Sequence, residues 1–487
     1  MFVGLAEGRG CVWLDSAGGP AGLGRWSVLA AEPSMILTSH GGVTRLEAAD
    51  GRVIAESGRN PFEVLRECLA ACPIDGQGPA SLPFGPGLYG YLSYDLAPHI
   101  EPTAGLSPCN DIALPDLWFG LHEAVLVLDH QLQQAFVVGG GAAGEMLERL
   151  PASLAGRAPG VSPGSRPCVA RAVPAGVSNP ELTLGARSLG ARCERLCVRN
   201  VSCNMSPEEF REAVAKAREY IAAGDIYQVN LSRRYTVSLA PAGRHDAGRW
   251  AELYLRLRQA NPAPYAAYVD VGGGAAVLSS SPELFLNLHR GRVVTRPIKG
   301  TRRLYPGDEA ANARAREELI RSAKDRAELV MIVDLERNDL GRVSDYGTVC
   351  VTEPRTVEAY AAVYHTVATV EGRLHAGKDV VDLLKATFPG GSITGAPKVR
   401  AMQIIAELEP TRRSVYTGAV GYLAPPSQDD PAGRCALNIA IRTLIASGDA
   451  VHVQVGGGIV ADSDPQAELQ ETSDKARAML AALGLSP

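Results

Sequence analysis

The period of the apolar residues changes several times along the chain, and each period predicts an element. Through residues 1–138 the apolar runs are short and read mostly as strands. Cys11-Val-Trp-Leu-Asp15 and Trp26-Ser-Val-Leu-Ala-Ala31 flank a glycine-rich loop, and Leu117 to Leu128 with Ala135 to Val138 reads as a hairpin. Phe62, Leu65 and Leu69 fall on one face of a helix expected over Pro61 to Ala71. Pro83 to Asp95 is dense in Gly and Tyr, a composition that suits a tight sheet corner or a binding lip.

From Gly139 to about Gly190, Gly, Ala, Pro, Ser and Arg replace the apolar runs. One short helix near Gly144 to Leu154 fits, and 156–190 reads as a flexible connection. The chain thus divides into an N-terminal region, 1–138, a linker, 139–200, and a main segment, 201–487.

Helical and strand periods alternate through the main segment. Ser206-Pro-Glu-Glu209 is a capping box with proline in the first turn, and Phe210, Val214, Ala217 and Ile221 carry that helix to Gly224. Ile226 to Val237 alternates as a strand does, and Val269 to Leu278 adds sheet. Glu283 to His289 and Arg292 to Ile298 read as two strands around Arg290-Gly291. A three-residue loop there sets Glu283 opposite Lys299 on one face; a two-residue loop pairs Glu283 with Ile298 and turns Lys299 away. A charge-rich helical stretch is expected from Glu309 to about Asp339. Val399, Met402, Ile405 and Leu408 predict a further helix starting near Pro397. Val453 to Val460 reads as a strand broken by three glycines, and Ser463-Asp-Pro-Gln466 as the cap of the last helix.

The 487 residues are 46% hydrophobic and 21% charged, ordinary for a globular chain. A net charge of −5 without a dense basic run gives no argument for nucleic acid. No apolar run approaches the length of a membrane span. Met1 to Glu7 lack the basic start and long apolar core of a signal peptide. Ten cysteines, scattered without zinc-type pairing, fit reduced thiols in a cytoplasmic setting.

The candidate chemistry starts at Val294-Thr-Arg-Pro-Ile-Lys-Gly-Thr-Arg-Arg303. Seven lysines stand among 48 Lys and Arg residues, so a bland cation in this chain is usually arginine. Lys299 is an amine, which unlike guanidinium loses its proton readily and serves as base or nucleophile. Glu283 beside it makes an acid/base pair or a cross-strand salt bridge. Glu328 opens the apolar run Leu329, Val330, Ile332, Val333, either as a helix-face ion pair or as a buried ligand. Phe388 to Arg400 is a glycine-rich loop feeding a helix, but a nucleotide-binding loop needs lysine and Ser/Thr where this chain has Ala396 and Pro397. Its amides suit a carboxylate as well as a phosphate, or the loop is a tight turn. Gly456, Gly457 and Gly458 leave room for a carboxylate at the backbone. Glu468 and Glu471 share a helix face with Lys475 four residues on. That spacing fits an exposed salt bridge, or a carboxylate pair for a hard cation such as Mg²⁺ with Glu328 as a third donor.

From about Ser206 to Leu480 these stretches, in this order and spacing, resemble the chorismate-utilising enzymes: anthranilate, aminodeoxychorismate, isochorismate and salicylate synthases. Pro-Ile-Lys-Gly-Thr at 297–301, Gly224-Asp-Ile-Tyr-Gln-Val-Asn-Leu231 and Phe388-Pro-Gly-Gly-Ser-Ile-Thr-Gly-Ala-Pro-Lys398 look like the aminodeoxychorismate synthase component I branch. Anthranilate synthases usually have alanine at the position of Lys299; isochorismate and salicylate synthases have a lysine too. The resemblance implies an α+β fold of two large packed antiparallel sheets with outer helices, to which the N-terminal region contributes. It implies chorismate and ammonia as substrates and Mg²⁺ held by Glu328, Glu468 and Glu471. Tyr416 and Arg442 match positions that hold the enolpyruvyl carboxylate, and Gly456 to Gly458 offer amides to carboxylates. His365 and Ser392 match positions lining the ring, and Thr301 in the lysine motif is implied as a further substrate-binding residue. Glu283 matches a general acid for the departing C4 hydroxyl, and Lys299 a nucleophile at C2. No cysteine stands in a nucleophile-elbow context, so a separate glutamine amidotransferase subunit is implied as the ammonia source, for 4-aminobenzoate and folate biosynthesis. Asp15-Ser16 resembles a weakened form of a Leu-Leu-Glu-Ser segment that lines tryptophan's pocket in relatives, or is a strand end.

Overall fold

The computed structural model describes residues 9–20, 22–72, 82–139, 171–174, 196–241 and 248–485, with 171–174 as backbone only. Among them, two antiparallel sheets of 12 strands each carry the fold. The helices are α1 (Pro61–Ala71), α2 (Pro207–Ala222), α3 (Arg249–Ala260), α4 (Glu309–Arg321), α5 (Ala323–Gly341), α6 (Val380–Thr387), α7 (Lys398–Leu408) and α8 (Pro465–Ala482).

The apolar faces stack in layers. Val12, Val28 and Val277 of the first sheet meet Tyr89, Trp118 and Tyr422 of the second in a core between the sheets. Outside the first sheet, α3 and α8 bury Leu253, Leu257 and Met479 against Trp13, Leu278 and Val453. Outside the second, α1, α5 and α6 bury Phe62, Leu329 and Leu384 against Leu117, Leu286 and Leu437. Burying a side chain of this size contributes roughly 1.5–3 kcal/mol. The N-terminal region is threaded into both sheets: Val12–Asp15 pairs with Tyr265–Gly272, and Gly87–Leu92 with Ala419–Ala424. The expected α+β architecture of packed antiparallel sheets is therefore present.

Several local expectations are corrected. Leu117 to Leu128 is not one arm of a hairpin: Leu117–His122 lies in the second sheet, and after Glu123 the chain crosses to Ala124–Asp129 in the first, which pairs with Gln134–Gly139. Both strands are buried throughout, so no alternation marked the crossing. Within Pro83 to Asp95, Pro83 and Phe84 line a cavity between the sheets, while Gly87–Leu92 after them is a fully buried interior strand and not a corner. Its Gly90 lies so close to the neighbouring strand that a Cβ would sit 2.0 Å from the Trp118 carbonyl. The stretch from Glu309 to Asp339 is two helices, because Ser322 leaves helical geometry (φ −61, ψ 109) and its hydroxyl caps α5 by accepting from the Asp325 amide. Ala450–Ile459 runs unbroken through its glycines. The segment Ser463 to Gln466 does cap α8, with Asp464 as the capping residue. The helix near Gly144 to Leu154 and most of the 156–190 connection lie outside the described residues; within the latter, Arg171–Pro174 pairs with Gln134–Gly139. No described helix is long and apolar enough to cross a membrane.

Candidate active site

Lys299 sits on the strand Ile298–Arg303, which pairs with Val363–Arg373 so that Lys299 faces Thr366. The Thr366 hydroxyl donates to the Lys299 carbonyl. Gly300 follows with φ +75, and a Cβ there would lie 2.9 Å from Thr366 Oγ1 and 3.0 Å from Asp325 Cγ. Both the left-handed backbone and the lack of room require glycine, and together they fix where Lys299 points. The lysine is half-buried, and its amine makes no hydrogen bond or ion pair among the described residues. Enclosure lowers its pKa, while the charges of Glu328 and Glu283 oppose that shift.

Neither expected register relates Glu283 to Lys299. The loop is two residues, Arg290-Gly291, in left-handed conformations, with His289 paired to Arg292. An irregularity between Leu284 and Asn287 then shifts the ladder so that Leu284 pairs with Arg296, and Pro297 separates that strand from the next, which starts at Ile298. The acid is nonetheless brought to the amine: Glu283 is buried, feels the Lys299 charge and accepts from the Ile298 amide. The Ser392 hydroxyl donates to Glu283 Oε1 at 2.7 Å. Burial dominates these contacts and lifts the Glu283 pKa to about 7.

His365 is buried on the strand opposite Thr301. Its Nδ1 lies 3.2 Å from the Gly300 carbonyl and 3.0 Å from Thr301 Oγ1. A carbonyl only accepts, so Nδ1 carries the proton and Nε2 is left as an acceptor. Burial lowers the His365 pKa to about 4, which keeps the ring neutral. Tyr416 is 3% exposed, and its hydroxyl has no hydrogen-bond partner among the described residues. The guanidinium of Arg442, a residue with φ 52, likewise has no hydrogen bond or ion pair there, and burial disfavours its charge while Tyr416 and Glu471 favour it. A cation in that state is suited to an anionic ligand.

Gly456, Gly457 and Gly458 pair with Ser232, Leu231 and Asn230. A Cβ on Gly457 would come 3.1 Å from Glu468 Oε2 and 3.8 Å from Glu471 Oε1, so the glycine lets α8 and its acids approach the strand. The Ser463 hydroxyl holds Glu468 Oε1 at 2.7 Å. Lys475 bridges Glu471, at 2.7 Å, and the Gly456 carbonyl, at 2.8 Å. Glu328 lies 3.8 Å from Lys324. Burial raises the Glu328 and Glu468 pKa values, and the Glu471 charge adds to both shifts. These are hard oxygen donors whose mutual repulsion a divalent cation would relieve. Yet among the described residues no three His, Cys, Asp or Glu side chains are drawn together as a metal cluster; the interposed lysines carry the neutralising charge.

Sequence patterns missed several contributors. Thr366 and Ser463, which hold the Lys299 carbonyl and Glu468, are common residues without a local signature. Gln228 is fully buried beside Gly458, with both amide atoms unpartnered among the described residues. Asp15 does not offer a free carboxylate: Ser27, Tyr254 and Arg258 all donate to it. It does line, with Ser16, a cavity of about 360 Å³ between the sheets.

A family model described as chorismate binding enzyme matches residues 23–481. Aminodeoxychorismate synthase component 1 of Klebsiella aerogenes is 38% identical over 456 residues, covering 94% of this chain and 90% of that protein. Anthranilate synthase component 1 of Thermus thermophilus is 41% identical over 432 residues, covering 88% and 83%. The crystal structure of anthranilate synthase component I from Streptococcus pneumoniae TIGR4 is similar with a TM-score of 0.72 at 32% identity, covering 93% and 92%.

Proposed function

We infer, of a chain that belongs to the family of chorismate binding enzymes, that it is the aminodeoxychorismate synthase component converting chorismate and ammonia to 4-amino-4-deoxychorismate. The observation that carries this reading is the Lys299 amine: enclosed, without a bonded partner among the described residues, and placed where the charges of Glu283 and Glu328 reach it.

Chorismate enters with its enolpyruvyl carboxylate on Arg442 and Tyr416 and its ring beside His365 and Ser392. The neutral Lys299 amine attacks C2 as both ring double bonds shift and the C4–O bond breaks. Glu283 gives its proton to the departing hydroxyl, which leaves as water. Ammonia then adds at C4, both double bonds shift back, and the C2–N bond breaks to restore the lysine. The proton released from the new ammonium returns to Glu283, so the cycle closes. Burial supports both roles, because it favours the uncharged forms of the lysine and of the acid.

Glu328, Glu468 and Glu471 would hold Mg²⁺ if Lys324 and Lys475 swing aside. When bound, the ion would offset the charge of the ring carboxylate. Ammonia would come from a separate glutamine amidotransferase subunit, in the cytoplasm.

The test is product identity. Purified chain is incubated with chorismate, Mg²⁺ and ammonium salt, and products are separated and weighed by mass spectrometry. 4-Amino-4-deoxychorismate supports the reading. Anthranilate, the product suggested by the Thermus relative's name, would overturn it; isochorismate or salicylate would do the same.

A further inference from the structure

We propose that Arg413 is the positioning residue of the chorismate pocket, a single guanidinium that sets three of the walls meant to hold substrate. The proposal rests on the pocket assigned above.

Arginine has five N–H donors in a fixed plane, and at Arg413 every one is used. Nε donates to Glu409 Oε2 at 2.9 Å, and Nη2 to Glu409 Oε1 at 2.6 Å and to the Asn230 carbonyl at 2.7 Å. Nη1 donates to the Ile393 carbonyl at 3.1 Å and to Thr417 Oγ1 at 3.2 Å. The two backbone carbonyls and the Thr417 hydroxyl each adjoin a candidate substrate group. Ile393 follows Ser392, the residue bonded to Glu283. Asn230 pairs with Gly458 in the ladder. Thr417 follows Tyr416, over whose ring the guanidinium lies 5.8 Å from the centroid. Tyr94 takes the other stacking contact, at 4.8 Å.

The partner is fixed as firmly. Glu409 Oε1 also accepts the Ser232 amide and hydroxyl, both at 2.8 Å. Arg413 and Glu409 side chains are each 1% exposed. A buried ion pair seldom outdoes apolar packing as a source of stability, so position is the better account of why this pair is kept. The segment it anchors needs holding: Ser414 and Thr417 are non-glycine residues in left-handed conformations, φ 51 and 61.

Two variants test this, Arg413→Lys and the uncharged Glu409→Gln/Arg413→Gln. Folding is followed by circular dichroism and melting, chorismate affinity by calorimetry, and chorismate consumption across pH by kinetics. We expect folded variants whose KM and Kd for chorismate rise at least tenfold. The alkaline limb of the pH–rate profile should move upward, because a displaced Ser392 no longer favours the ionised form of Glu283, which then keeps the Ile298 amide and the charges of Lys299 and the more distant Glu336. A folded double variant with wild-type KM and pH profile would overturn the proposal. So would unfolding of both variants, which would make the pair a stability element. The reading of the reaction fails separately, through the wild-type product; a wild-type chain that neither binds nor consumes chorismate would sink both.

Discussion

The Ser392 hydroxyl and Glu283 Oε1 are 2.7 Å apart, and this contact ties the glycine-rich turn to the acid that faces Lys299. The bond favours an ionised carboxylate; burial favours a neutral one and prevails, leaving Glu283 with a pKa of about 7. A general acid is most effective when its pKa lies near the working pH.

Turnover should therefore have a bell-shaped pH dependence. It falls as pH rises through about 7, where Glu283 loses the proton it must give, and it falls on the acid side as Lys299 is protonated. Glu283→Gln should lower kcat by about 10²–10⁴-fold and remove the alkaline limb. Steady-state rates across pH check both.

The same residue should limit stability. Its folded pKa of about 7 exceeds the ordinary 4.5, so its contribution is fully present below 4.5 and is lost as pH rises to about 7. Glu283→Gln should match the wild type in urea unfolding at pH 4 and exceed it at pH 8, despite being nearly inactive. Equal stability differences at the two pH values would count against a buried, protonated Glu283.

Gly300→Ala should uncouple fold from chemistry. The left-handed conformation costs an alanine roughly 1–2 kcal/mol, and its Cβ would press on Thr366 Oγ1 and Asp325. A modest fall in Tm with a much larger loss of kcat is the expected result, since the strain displaces the neighbouring Lys299. Melting and steady-state kinetics on one preparation read both.

Glu468→Gln should weaken the response to magnesium severely, at unchanged fold. Titration of activity with Mg²⁺ should show a much higher half-saturating concentration. An unchanged titration would remove Glu468 from the ligand set.

Where local chemistry marks a position, the sequence was legible. The capping box at Ser206, the helix over Pro61–Ala71 and the odd amine at Lys299 all stood out, and the resemblance named the two-sheet fold. What failed was whatever depended on distant chain. The Glu283–Lys299 register was lost because a ladder irregularity and Pro297 reset the pairing, neither of which alternation reveals. The crossing at Glu123 was hidden because strands buried on both faces carry no period. Ser322 breaks a charged helix by using its hydroxyl as a cap, a choice serine leaves open. Arg413 is one of the chain's many arginines, and its acceptors come from segments far apart in sequence. The shared helix face of Glu468, Glu471 and Lys475 and its Lys475–Glu471 salt bridge were legible from spacing, whereas Lys324 beside Glu328 was not.

The proposed mechanism turns on attack of the Lys299 amine on chorismate. Intact-protein mass spectrometry after mixing the chain with chorismate and Mg²⁺, without ammonia, tests it most directly. The expected result is an added mass of chorismate less water, mapped to Lys299, released on adding ammonium and absent in Lys299→Ala, which still binds chorismate but makes almost no product. Near-normal turnover by Lys299→Ala, with no adduct on the wild type, would contradict it.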